Sequence, residues 1–216
     1  TSTCVKGACA IGQCAPGHGD CDGAVANGCE VDTTSSTAHC GACGKACAAG
    51  EGCIGGRCTT LYWASGVQRQ VPARDLFGWT RCHSGTYAET VNLSGLLARC
   101  NKPRLLLACR RSRETTFALV AMGPREDVLF ECGAKRDCTR QSNGVGWYFN
   151  ADSSWGFAPA GQPVHRISCD YNLGDQPDAE LRMCWHTERG KLASGFRCGD
   201  NAMGDGDWVR EIWQAD

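Results

Sequence analysis

Five side chains between residues 20 and 32, namely Asp20, Asp22, Asn27, Glu30 and Asp32, gather hard oxygen donors in a loop that also holds Gly23 and Gly28. Calcium takes about six to eight such oxygens, so these residues are the candidate metal ligands. Their order departs from the helix–loop–helix calcium pattern, with Cys21 and Cys29 interrupting it. The competing reading is an acidic turn whose Asx side chains hydrogen-bond their own backbone. Soft ligands stand at Cys40, Cys43 and Cys47, a spacing that suits zinc or an iron–sulfur cluster. Disulfides are the preferred reading there, because the chain is rich in cysteine and the count is even. A different chemistry is offered by Trp147, Tyr148, Asn150, Asp152 and Trp155. Indole and phenol faces stack on sugar rings, and Asn and Asp supply the donors and acceptors of a lectin-like site. The competing and preferred reading is that these aromatics fill a core. His83 beside Ser84, and His186 beside Thr187, contain the residue types of a hydrolase. No G-x-S-x-G elbow and no H-E-x-x-H helix accompanies them. The expectation is therefore not an enzyme.

Composition says what must position these residues. The 216-residue chain carries 22 basic and 23 acidic side chains, a balance that argues against a nucleic-acid binder. Its longest apolar run, Phe117 to Met122, is far short of a membrane span. The 18 cysteines mark an oxidised, extracytoplasmic chain. It opens on Thr without an apolar leader, so the expectation is an exported protein whose signal is already removed, or an excised fragment.

Two compositions meet near Cys58. Residues 1–58 hold ten Cys, twelve Gly and ten Ala, and no Leu, Met, Phe, Tyr or Trp. Val5, Ile11, Val25, Val31 and Ile54 cannot offset the ordering entropy of such a segment, so covalent staples must replace a core. Residues 59–216 carry all seventeen aromatics and the other eight Cys. The even counts fit two separately closed disulfide sets. The expected domains are a cysteine-rich module, 1–58, and a disulfide-reinforced β domain, 59–216.

Within the module the spacing repeats. Cys9-x4-Cys14 recurs as Cys53-x4-Cys58 at an offset of 44, and Cys4 matches Cys47 at 43. That is the mark of a modular array entered partway through a repeat. The run Asp20-Cys21-Asp22-Gly23, then Asn27-Gly28-Cys29-Glu30-Val31-Asp32, then Cys40-Gly41-Ala42-Cys43-Gly44-Lys45-Ala46-Cys47, closing on Cys53 to Cys58, carries a resemblance. Residues 4–58 resemble the cysteine-rich repeats of secreted and surface proteins of myxobacteria and related bacteria. The resemblance implies an exported bacterial protein with tandem copies, and no chemistry.

The second domain reads as antiparallel β, a sandwich or barrel. Short apolar runs alternate with turn signals. Predicted strands are 67–71, 78–83, 104–110, 116–122, 127–131, 145–150, 164–171, 181–187, 195–199 and 208–213. Asn143-Gly144 and Arg189-Gly190 are hairpin turns, and one short helix starts at Ser94 as N-cap. Gly78-Trp79 and Gly146-Trp147, with the runs that follow each, suggest an internal duplication into two similar β halves packed face to face. Cys132 and Cys138 bracket a short loop and pair. Cys184 and Cys198 stand on opposite arms of a hairpin and pair. Cys82 with Cys100, and Cys109 with Cys169, follow by elimination.

These features predict an exported structural or adhesive protein of a bacterial surface. Its opening half-repeat would dock on the next copy, and such heterologous contacts propagate into fibres. Its partners are then other copies of itself and surface glycans, with no nucleic acid and no membrane span. A secreted carbohydrate-binding module is the alternative, and a secreted hydrolase the third reading. Calcium is the one cofactor considered.

Overall fold

The computed structural model describes residues 2–5, 8–49, 51–170, 178–203 and 206–216. The protein is mainly β, with several antiparallel sheets and many disulfides, as its composition predicts. It divides into two compact units, residues 1–62 with 74–78, and residues 63–73 with 79–216.

The first unit holds three two-stranded ribbons. These are β1 (Ser2–Val5) with β2 (Ala8–Ile11), β3 (His18–Gly19) with β4 (Val31–Asp32), and β5 (Gly52–Ile54) with β6 (Arg57–Thr59). Disulfides 14–29, 21–43, 40–53 and 47–58 take the place of a core. Each closes a loop of 11 to 22 residues, worth roughly 3 kcal/mol in the chain-entropy model. Backbone segments pass too closely for side chains. A Cβ on Gly41, whose φ is +80°, would sit 2.5 Å from the Gly56 carbonyl oxygen. The residues 74–78 that composition assigned to the β domain return to this unit. The Tyr62 amide donates to the Phe77 carbonyl at 2.9 Å, and the Phe77 ring lies where a Gly52 side chain would be. A contact so distant in sequence leaves no compositional trace.

The repeat also aligns differently from its cysteine spacing. Cys4 faces Cys9 across β1–β2 just as Cys53 faces Cys58 across β5–β6. The hairpins therefore correspond at an offset of 49, not 44. The Cys-x4-Cys spacing occurs twice in the opening residues, and only strand register tells which copy is the hairpin. Residues 1, 6 and 7 of the opening half-repeat lie outside the described residues.

The second unit is a sandwich. Its strands and helices run β7 (Gln68–Pro72), β8 (Thr80–Thr86), β9 (Val91–Asn92), α1 (Leu93–Arg99), β10 (Arg104–Arg111), β11 (Thr116–Pro124), α2 (Arg125–Val128), β12 (Arg140–Ser142), β13 (Val145–Phe149), β14 (Ser154–Pro159), β15 (Met183–Glu188), β16 (Lys191–Cys198), β17 (Asn201–Met203) and β18 (Trp208–Ala215). One sheet has the order β7-β11-β10-β18-β8. The other runs β12-β13-β14-β15-β16-β17, with β9 pairing β16. Leu105, Leu107, Leu119 and Ile212 of the first sheet meet Trp147, Trp155, Phe157 and Trp185 of the second in one core. Asn143-Gly144 and Arg189-Gly190, all four residues at positive φ, turn the β12–β13 and β15–β16 hairpins as predicted.

Several expectations are corrected. Residues 127–131 do not form a strand: Pro124 opens the short helix α2, and Glu126 and Asp127 favour its first turn. Most of 164–171 is a loop with one 3-10 turn at Arg166–Ser168, and Tyr171 lies outside the described residues. Strand β14 is not among the predicted strands. Gly156 is needed inside it, since a Cβ there would lie 2.2 Å from the Met183 carbonyl oxygen. The α1 cap is Asn92, not Ser94, and its side chain accepts from the Gly95 amide at 2.9 Å. The two sheets are not two tandem halves, because the chain's last described strand, β18, lies inside the first sheet, between β10 and β8.

Of the predicted disulfides, Cys132–Cys138 and Cys82–Cys100 form. Cys184–Cys198 and Cys109–Cys169 do not; the bonds are Cys109–Cys198 and Cys169–Cys184. Register explains the exchange. Cys198 faces Met183 and Cys184 faces Arg197 across the β15–β16 hairpin. Facing residues share a side and neighbours alternate, so the two cysteines point to opposite faces of the sheet. Cys198 turns into the core and reaches Cys109 on the other sheet. Cys184 turns outward to Cys169, beside Tyr148 and Val164.

Candidate functional site

The acidic loop between β3 and β4 brings three of its five predicted ligands together: oxygens of Asp20, Asp22 and Glu30 lie within 4.8 Å of one another. Each also serves the loop's own backbone. Asp20 accepts from Gly23 N and Asp22 from Ala24 N, both at 2.8 Å. Glu30 accepts from Cys21 N at 2.9 Å, and Asn27 donates its amide to Asp22 at 2.9 Å. Those donors hold the Asp22 carboxyl below the usual carboxylate range, the Ala24 amide foremost. Asp32 belongs to the next turn. It accepts from the Thr34 amide and from the Thr34 and Ser35 hydroxyls, at 2.8, 2.6 and 2.8 Å. The Thr34 hydroxyl leads in lowering its pKa to about 2. So Asp32 is removed from the ligand set by a stronger local demand.

Cys40, Cys43 and Cys47 go to three different disulfides, with Cys53, Cys21 and Cys58. No thiolate is left for zinc or for a cluster at this spacing. His39, beside Cys21 and Cys43, accepts from the Gly44 amide on Nδ1 at 2.9 Å.

The aromatic platform is not on the surface. Trp147, Tyr148 and Trp155 are all 0% exposed. Trp155 meets Trp185 and Phe149 edge-on, and Trp147 meets Phe157 in the same way. Their indole N–H groups donate inward, Trp155 to Val128 O at 3.1 Å and Trp147 to Ser142 O at 3.3 Å. Asn150 accepts from the Asp152 amide at 2.8 Å and so shapes the β13–β14 turn. Asp152 is exposed at that turn, apart from any ring face. The period-two alternation of β13 and β14 sends Trp147 and Trp155 to the inter-sheet core and Tyr148 to the opposite face, where it is buried beside Val164 and Cys184.

The histidines do not meet a nucleophile. On β8, His83 is opposite Ile212, which lies in the core, and Ser84 is opposite Glu211. They therefore point to opposite faces. Burial first, then the Arg210 and Arg99 charges, lower the His83 pKa to about 4. Ser84 Oγ donates to Glu211 at 3.4 Å. On β15, His186 is opposite Ser154, whose hydroxyl donates to the Arg166 carbonyl.

Sequence reasoning passed over the buried charges. Asp170 and Arg182, both 0% exposed, pair at 3.2 Å on the outer face of the second sheet, with the Tyr148 hydroxyl 3.4 Å from Asp170. Glu211, 1% exposed, takes Arg110 at 2.6 Å and the Trp213 indole N–H at 2.9 Å. The available signal was a charged pair, Arg210-Glu211, inside the apolar run of β18. Asp170, Arg182 and Glu211 are each held by an opposite charge at fixed distance, which is the arrangement of structural ion pairs. Compared with known proteins, the chain matches no protein family, no curated protein and no solved structure.

Proposed function

We propose that the chain is a non-enzymatic, exported structural or adhesive protein of a bacterial surface. One observation carries this reading. All sixteen described cysteines whose bonds are placed are in disulfides, and each compact unit is closed by its own four. Disulfides at this density persist outside the reducing cytosol, and they suit a part that must survive exposure. No described helix is long and apolar enough to cross a membrane. His83 and Ser84 point to opposite faces, and the Ser154 hydroxyl opposite His186 is spent on the Arg166 carbonyl, which supports the non-enzymatic half.

Assembly runs through the opening hairpin. Ribbon β1–β2 pairs with no other described strand, and an unpaired ribbon edge is a template for a further strand. In a fibre a second copy fills that role, head to tail. Asp20, Asp22 and Glu30 are then the place for a calcium ion that stiffens the exposed module. The test is negative-stain electron microscopy of the oxidised chain and of a form lacking residues 1–11, which keeps the Cys14–Cys29 bond, each with calcium and with EDTA. Regular fibres from the first and none from the second are expected. Dispersed particles from both would remove the fibre, and fibres indifferent to EDTA would leave the three carboxylates as turn caps. A carbohydrate-binding reading cannot rest on Trp147 and Trp155, which the core consumes. It needs aromatic and polar side chains that share an open groove.

A further inference from the structure

The first unit contains such a groove. It has a volume of about 600 Å³ and lies between the turn after β4, the start of β5 and the returning segment 74–77. Its floor is rigid. Cys53 in β5 is bonded to Cys40, and the Phe77 ring lies directly over Gly52, where a Cβ would come 2.1 Å from Cε1. Tyr62 meets Phe77 edge-on, with ring centroids 6.2 Å apart at 88°. Both rings are half-buried, so each keeps apolar surface toward solvent. Thr34, Ser35, Thr37, Glu51, Arg74 and Asp75 line the groove as well; the Thr34 and Ser35 hydroxyls donate to Asp32, Glu51 accepts from the Ala48 amide at 2.9 Å, and Arg74 pairs with Asp75 at 3.7 Å. Burial, and behind it the Asp75 charge, raises the Tyr62 phenol, which places that carboxylate within electrostatic reach of the aromatic wall.

We infer that this groove binds a short neutral oligosaccharide. Its volume falls within the range of ligand pockets, roughly 300–1,000 Å³. Aromatic rings stack on the C–H faces of pyranoses, while hydroxyl, carboxylate and guanidinium groups match sugar hydroxyls at the rim. Two carboxylates against one guanidinium disfavour a polyanion, and six polar side chains disfavour a purely apolar ligand. A peptide adding as a strand needs open backbone groups. Here the Thr34 carbonyl already accepts from Gly56 N at 3.2 Å, and the Tyr62 amide is spent on Phe77. The groove therefore presents side chains rather than a ladder. A floor fixed by a disulfide loses little freedom when a ligand binds. The inference gives the adhesive half of the proposed function a ligand class. It involves neither β1 nor β2, so it stands apart from fibre formation.

The test is a titration of the full oxidised chain, ¹⁵N-labelled, with cellotriose, chitotriose, maltotriose and mannotriose at millimolar concentration. At least one sugar is expected to shift the amides of 34–37, 51–55, 62 and 74–77. Phe77→Leu should then weaken binding about tenfold, and Arg74→Gln and Asp75→Asn about threefold each. The last two residues are exposed, so their variants keep the test decisive if Phe77→Leu fails to fold. Shifts confined to the sandwich, shifts unmoved by all three variants, or no shift with any of the sugars would overturn the inference. So would a random tetrapeptide pool that moves these amides while the sugars do not. Fibres without sugar binding would sink the groove alone, and sugar binding without fibres would sink the polymer alone.

Discussion

The two units carry equal numbers of described disulfides and use them for different ends. Among the described residues the buried side chains of the first unit are Cys40, Cys53, Thr33 and one aliphatic, Leu76, so the bonds stand where a larger core would be. In the sandwich, Trp147, Trp155, Phe157 and Trp185 are packed between sheets that the chain's hydrogen bonds already order. There Cys109–Cys198, 89 residues apart in sequence, joins two sheets whose faces already meet. The same bond type is a substitute for burial in one unit and an addition to it in the other. Reduction separates the two roles with the largest effect available. All seven Trp lie in the sandwich unit, so indole fluorescence reports on it alone. In a phosphine reductant at neutral pH, the amides of Thr33, Cys40 and Gly41 should lose their protection from hydrogen exchange completely. The fluorescence and near-ultraviolet dichroism of the sandwich should persist. Simultaneous loss of both signals would mean that the sandwich, too, depends on its bonds.

The converse perturbation attacks burial. Trp155 touches Trp185 and Phe149 and has no exposed surface. Trp155→Ala should cost about 3–5 kcal/mol in denaturant unfolding of the sandwich. Exchange protection in the first unit should stay unchanged, because no part of its cage is touched. A cost under about 1 kcal/mol would contradict full burial and reopen a surface role for the ring.

What was legible from the sequence follows the range of the interaction. Counts carry the staples and the absence of a core before Cys58, because a shortage of large aliphatics is a property of composition. Asn143-Gly144 carries a hairpin because two consecutive positive φ angles need those residue types. The exchange of partners among Cys109, Cys169, Cys184 and Cys198 was not legible. It depends on which face each strand residue takes, and that is fixed only when Met183 is found opposite Cys198. The tryptophans were ambiguous for a chemical reason. An indole suits a sugar and a core equally, and only the partners of β13 and β14 decide. The groove was invisible because Phe77 reaches Gly52 across 25 residues, and neither residue is unusual where it stands in the chain.

A smaller effect sharpens the contrast by pH. His83 points into the sandwich, is 8% exposed, and its Nε2 has no hydrogen-bond partner among the described residues. Burial chiefly, with the Arg210 and Arg99 charges, lowers its pKa from 6.5 to about 4, against a weaker opposing pull from Glu89. Between those values the unfolded chain binds the extra proton and the folded chain does not. Stability linked to this group is therefore full above about pH 6.5, declines as pH falls, and levels off below about pH 4. The loss is on the order of 2–3 kcal/mol. Carboxylates titrate in the same range, so the quantity to measure is the difference between wild type and His83→Leu. Urea unfolding followed by indole fluorescence at pH 7 and pH 4.5 supplies it. The variant should lose less stability than wild type on acidification, and it should gain most at pH 4.5, where no buried imidazole resists its charge. Equal losses would place the acid sensitivity of the sandwich on other groups.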